Sequence, residues 1–254
     1  FAREPLAADS PLRRVENLYL TPHLGASTTE AQRNVAVDAC AAVRDALLDG
    51  ELSRSINVGE IGAARWRELR PALDLTRKLA AIARAILATQ GSRMIGTIDV
   101  RAGGAFAGGR AALLASAAVG VLESVTEQER LNVINARTLA EARGIALSFT
   151  ELPDAESSHS IEVRVRSAIQ EIGASGTAQP NVAPRITQIG AFHVDVQPRD
   201  VLLILTNNDV PGVIGRVGTL LGGAGVNIAE YHQARLAQGG EALAAVALDA
   251  PRSE

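Results

Sequence analysis

Apolar residues recur along the chain at two periods, and each switch of period marks out an element. Residues 17–21 (Asn17, Leu18, Tyr19, Leu20, Thr21) predict a short strand stopped by Pro22, followed by a loop from His23 to Ala26. Ser27-Thr28-Thr29-Glu30 has the capping-box pattern, in which a hydroxyl and a carboxylate satisfy orphan backbone donors, so Ser27 opens a helix. Val35, Ala39, Val43 and Leu47 repeat along one face of that helix, and Gly50 supplies its stop. Residues 53–64 hold two glycines, Gly59 and Gly62, and no helical period. A second helix carries Leu75, Leu79, Ile82 and Ile86, with Gly91 beyond its end. Residues 94–101 predict a strand, 111–124 a buried Ala-rich helix, and 136–143 a short helix capped by Asn135 and ended by Gly144. Strict alternation over 160–166 predicts a half-buried strand, with two more around 173–178 and 185–196. Near the end come a strand at 201–206, a polar loop, and a helix at 213–224 with Ile214, Val217, Leu220 and Leu221 on one face. Strands after Gly225 and at 242–248 complete a β-α-β-β series, two-thirds of a ferredoxin-like unit.

Composition narrows the class. With 254 residues and 47% hydrophobic positions the chain has enough apolar material for two or three small domains. A formal charge of −3 lacks the basic excess of an electrostatic nucleic-acid binder, so no nucleic-acid partner is expected. No run approaches the ~18 apolar residues of a membrane span, so no membrane partner is expected either. Cys40 is the single cysteine, which excludes an internal disulfide framework or a site built from several thiolates, and no metal is expected. His159, His193 and His232 stand alone, without the spaced partners of a metal site. A soluble, cytoplasmic protein is the expectation. The chain opens on Phe1 rather than Met and closes within a β-α-β-β series, so both ends read as truncated.

Two loops carry candidate chemistry. Glu4 and His23 form the first pair: an imidazole suits proton exchange near neutral pH, and a carboxylate beside it orients the ring and raises its basicity. The second is the loop after residue 206. There Asp209 offers a carboxylate to an ammonium group, Asn207 and Asn227 offer amides, and Pro211 starts a helix whose free N–H groups suit a carboxylate. As residue types alone, Asn207, Asn208 and Asp209 are equally good turn formers.

Phe1-Ala2-Arg3-Glu4-Pro5-Leu6 followed by Thr21-Pro22-His23-Leu24-Gly25-Ala26-Ser27-Thr28 resembles the end of the catalytic region of the D-2-hydroxyacid dehydrogenases, within them most closely the phosphoglycerate dehydrogenases. Residues 55–58 through Gly190-Ala191-Phe192-His193-Val194-Asp195 look like the intervening domain of the long members. Leu202 to Gly212, with Gly225-Val226-Asn227-Ile228, looks like an ACT domain. The resemblance implies an α/β and α+β multidomain chain. Its parts would be a catalytic remnant at 1–56, an α/β intervening domain at 57–198 and a truncated ferredoxin-like ACT domain at 199–254.

By the same resemblance Glu4 and His23 are the catalytic pair, and His23, Leu24, Gly25 and Ala26 border the nicotinamide of NAD. The implied reaction is oxidation of 3-phospho-D-glycerate to 3-phosphohydroxypyruvate in serine biosynthesis. L-serine is the implied effector, bound by Asn207, Asp209 and Asn227, with Asn227 contributed across the interface of a homo-oligomer, a dimer or tetramer. No strand-bound G-x-G-x-x-G is present, so the chain by itself is expected to be inactive. A second, phosphate-binding regulatory site of the family would need basic residues where Ala191, Phe192 and Gln197 stand, and is not expected. Two other readings remain open: a non-catalytic amino-acid-binding regulatory module, and another 2-hydroxyacid dehydrogenase such as a glyoxylate or hydroxypyruvate reductase.

Overall fold

A computed structural model describes residues 6–49, 54–55, 63–126, 131–153, 157–199 and 201–249. The chain divides into two compact units, Phe1–Leu52 and Ser53–Glu254.

The first unit is built on one long helix, α1 (Thr29–Asp49). Its N-cap is Thr28, whose Oγ1 accepts from the Ala31 amide at 3.1 Å, one residue later than the predicted Ser27. The Ser27 hydroxyl instead donates to the Leu24 carbonyl. Val35, Val43 and Leu47, the predicted apolar face, are all exposed. Residues 17–21 do not form the predicted strand. Asn17 sits at φ 62°, which turns the chain out of the extended region, and no described neighbour offers a ladder to pair with. Gly50 lies outside the described residues.

The second unit is mixed α/β with two sheets. The larger sheet has the order β2-β1-β3-β4-β5-β6. Its strands are β1 (Ile95–Gly103), β2 (Ala146–Leu152), β3 (Ser160–Ser167), β4 (Glu171–Thr177), β5 (Arg185–Ile189) and β6 (Phe192–Val196). Only β1 and β2 run parallel, joined through α3 (Arg110–Leu122) and α4 (Ala136–Ala142); every other pairing is antiparallel. The predicted strand over 185–196 is a hairpin, because the chain reverses at Gly190. β2 has no counterpart among the predicted strands.

One face of this sheet is apolar and covered by helices. Ile98, Val100, Ile161, Val163, Val165 and Ile186 are fully buried beneath α2 (Ala63–Thr89) and α3. The buried stripe of α2 runs through Leu69, Ala72, Thr76, Leu79, Ala83 and Leu87, a spacing of three to four residues, while Ile82 and Ile86 lie at its flank. Pro71 falls inside α2, where it removes one backbone donor; burial of Leu69, Ala72 and Leu73 around it holds the helix together. α3 crosses α2 at Gly120, where a Cβ would fall inside 3.0 Å of the Arg77 carbonyl oxygen. The crossing is tight because both helices present small residues there, Ala80 and Gly120. Asn135 precedes α4 but does not cap it; its Oδ1 accepts from the Asn132 amide at 3.0 Å.

The opposite face of the sheet carries a ladder of charges. Glu162 accepts from Arg101 at 3.3 Å and from Arg164 at 2.7 Å, and Glu171 accepts from Arg166 at 2.6 Å. Arg164 and Arg166 thus line an exposed, mutually neutralised surface.

The smaller sheet has the order β7-β9-β8, with β7 (Val201–Asn208), β8 (Ile228–Arg235) and β9 (Glu241–Leu248), and α5 (Val213–Gly223) on one face. Under α5, Leu221 and Val226 pack with Leu203, Leu205, Ala244, Val246, Leu248, Ile228 and Tyr231. Ile214 and Leu220, predicted on the same face of α5, are exposed. The other face meets β6, which packs against β8 and β9. At this seam the Arg185 guanidinium donates to Asp195 Oδ1 at 2.6 Å and to Glu230 Oε1 at 2.8 Å, and the Gln197 amide donates to Glu230. The Asp195 carboxyl is held below its ordinary value chiefly by the Arg185 hydrogen bond. Arg185 is therefore committed to internal carboxylates.

Candidate functional site

His23, Leu24, Gly25 and Ala26 all lie on the exposed loop ahead of α1. The loop is closed at its far end by Ser27, whose amide and hydroxyl both donate to the Leu24 carbonyl, at 3.1 and 2.5 Å. That double anchor, with the Thr28 cap, ties the histidine's segment to the start of a helix. Gly25 has open space where a side chain would stand. Glu4 lies outside the described residues, so its separation from His23 is not part of the described geometry.

The second candidate centre is at one end of the smaller sheet. Ladder register puts Asn207 opposite Ala242, and Ala242 opposite Arg235, so the three form one row across β7, β9 and β8. The rows alternate in facing, and this one lies on the α5 side, with the Leu205–Ala244–Gln233 and Leu203–Val246–Tyr231 rows. Both polar atoms of the Asn207 side chain, Nδ2 and Oδ1, are enclosed and have no hydrogen-bond partner. An enclosed amide with no partner costs about 1–3 kcal/mol.

Asp209 follows at the end of β7. Its Oδ2 accepts from Arg235 Nη1 at 2.8 Å and from the Gly239 amide at 3.4 Å, and its Oδ1 from Gln233 Nε2 at 3.3 Å. The Asp209 amide donates to the Gly240 carbonyl at 2.8 Å, fixing the loop to the β8–β9 turn. The Arg235 hydrogen bond, then the Gly239 amide, hold the Asp209 carboxyl below the usual carboxylate range. Gly212 caps α5 at φ 90°, a left-handed conformation that a side chain would resist, and no side chain bonds the first-turn amides.

Asn227 is not part of this cluster. It precedes β8 at the opposite end of the sheet, where Ile228 pairs with Leu248. There its Nδ2 donates to Asp249 Oδ2 at 2.6 Å, and its carbonyl accepts from the Asp249 amide. Within one copy, then, Asn207 and Asp209 come together and Asn227 stands apart. Gln233, Arg235 and Gly239 join Asp209 without having been singled out from sequence. The alternation of Tyr231, Gln233 and Arg235 along β8 was the available signal, since it sets all three on one face. Among the described residues no group of three His, Cys, Asp or Glu side chains is arranged to hold a metal, and no helix is long and apolar enough to cross a membrane.

Residues 68–190 match the family profile described as the D-3-phosphoglycerate dehydrogenase intervening domain. A D-3-phosphoglycerate dehydrogenase of Synechocystis is 35% identical over 252 residues, covering 99% of this chain and 45% of that protein. The Mycobacterium tuberculosis protein of the same name is 33% identical over 252 residues, covering 98% of this chain and 46% of its own. The chloroplastic D-3-phosphoglycerate dehydrogenase 3 of Arabidopsis thaliana is 30% identical over 270 residues, with 98% of this chain and 45% of that protein covered. The chain thus spans less than half the length of the curated relatives it matches.

Proposed function

We propose that this chain corresponds to the C-terminal portion of a D-3-phosphoglycerate dehydrogenase and serves the NAD-dependent oxidation of 3-phospho-D-glycerate to 3-phosphohydroxypyruvate, under feedback by L-serine. The observation that carries the reading is the likeness itself, which runs over 98–99% of the chain and so takes in both candidate loops.

For the reaction, His23 accepts the proton of the substrate hydroxyl, and Glu4 holds its imidazole in orientation. NAD, when bound, supplies the hydride acceptor. The loop from His23 to Ala26 suits a flat ring: it is exposed throughout, and Gly25 offers backbone with open space above it.

For the feedback, the enclosed, unpartnered amide of Asn207 supports a small polar ligand at the β7–α5 loop. The effector's carboxylate takes the first-turn amides of α5, and its ammonium takes Asp209. Asn227, at the far end of the same sheet, reaches such a ligand from a second copy, so the site is completed in a homo-oligomer. Calorimetric titration with L-serine tests this directly. Wild type should bind and Asn207→Ala should lose most of the affinity; equal binding, or none in wild type, removes the effector site from this loop.

A further inference from the structure

The Asp209 carboxylate is already spoken for. Arg235, Gln233 and the Gly239 amide take up both of its oxygens, at 2.8, 3.3 and 3.4 Å. Arg235 is the one charged group among these partners, and its side chain is 58% exposed against 20% for Asp209. Arg235 is also the last residue of β8, at the edge of the turn into β9. Its guanidinium can therefore swing into water with little desolvation to reverse, while Asp209 stays half-buried and fixed by its amide on Gly240.

We infer that Arg235 is a built-in competitor for the ammonium group of an α-amino acid at this site, holding Asp209 in an ion pair that the ligand must displace. The inference rests on the effector site proposed above. An ammonium on the same carboxylate would stand within hydrogen-bond reach of the oxygen that holds the Arg235 guanidinium, and the two like charges repel, so the bound ligand drives Arg235 off. Occupancy then exchanges one cation for another at Asp209, and the charge balance of the loop stays the same. The neutral donors, Gln233 and Gly239, hold the carboxylate in place during that exchange. The affinity of the site is set lower than its bare geometry would give, by roughly the strength of an exposed ion pair. Ligands without an ammonium do not bring about the exchange.

The test is a set of calorimetric titrations on the full chain with two probes, L-serine and 3-hydroxypropionate, which is serine without its ammonium. Removing the competitor with Arg235→Gln should tighten L-serine binding by about two- to fivefold, the range of an exposed ion pair. It should give 3-hydroxypropionate no gain. Arg235→Lys keeps a cation at the same place and should return serine binding to near the wild-type value, which separates charge competition from damage to the turn. Serine binding that weakens or stays level in Arg235→Gln, with Asn207→Ala still destroying it, overturns the competitor role and leaves the effector site standing. An equal gain for both probes, or tightening in Arg235→Lys as well, overturns it too. If serine fails to bind wild type at all, the effector site falls and the competitor falls with it.

Discussion

At Gly120, where α3 crosses α2, alanine must find room for a methyl group inside 3.0 Å of the Arg77 carbonyl oxygen and at 3.0 Å from the Ala80 methyl. The obstacle is helix backbone, which cannot rotate aside as a side chain would, so the helices must part by about 1 Å. Overpacking of that kind costs about 1–3 kcal/mol or more. Against it stands the gain of alanine over glycine inside a helix, about 1 kcal/mol. The parting also strains the Arg77–Glu123 ion pair, whose 2.9 Å contact spans the same two helices. With the rigid obstacle putting the cost at the upper end, Gly120→Ala should lose about 2 kcal/mol net. In a unit of this size that lowers Tm by about 4–8 °C, read by calorimetry or by circular dichroism. Gly215→Ala in α5 is the control, since its Cβ would meet nothing within 4 Å, and helix propensity should raise stability there by up to about 1 kcal/mol. A Gly120→Ala protein as stable as wild type would mean that the crossing is looser than described, and that the small residues there are not what sets it.

Asp195 and Asp209 both have carboxyls held below their ordinary 3.8, by Arg185 and by Arg235 with Gly239. A depressed carboxyl adds stability that is fully present above about pH 4 and fades as the pH falls through the folded value. Asp195→Asn should therefore lower Tm at pH 7 by about 1–3 °C, as for an exposed ion pair, and shrink the loss between pH 5 and pH 3 on the order of the same amount. An acid limb identical to wild type would deny the pair a role. For the proposed oxidation of 3-phospho-D-glycerate, His23→Asn should lower kcat by about 10²–10⁴-fold with a far smaller change in KM; near-normal turnover would remove His23 from proton transfer.

Where a run of residues decides its own conformation, the sequence was a good guide. The helix α2, the Ala-rich α3, the alternating β3 and the apolar β7 and β9 all follow from period and composition, although the buried stripe of α2 runs beside Ile82 and Ile86 rather than through them. What could not be read were the facts that depend on a distant partner. Leu18 and Leu20 have the pattern of a strand, but no strand among the described residues stands beside them to share hydrogen bonds. Ile214 and Leu220 have the period of a buried face, yet both are exposed, and it is Leu221 of α5 that packs against the sheet. At the candidate site, Asn207 and Asp209 share one loop and were legible as a pair. Arg235 reaches Asp209 across 26 residues through the register of β9, which no local pattern encodes.

Both faces of β9 are buried: Ala244 and Val246 lie against α5, while Leu243, Ala245 and Ala247 face the side that meets β6. Its amides therefore cannot reach water through a local opening at one surface. To release them, the α5 layer must lift and the seam with the larger sheet must part. Deuterium uptake along β9 should for this reason be among the slowest in the chain, keeping pace with the global unfolding of residues 53–254 rather than with fraying of the small sheet. The outer edge of β7, unpaired among the described strands, exchanges early. The small sheet should thus melt with the large one, and one shared unfolding transition for both would show it.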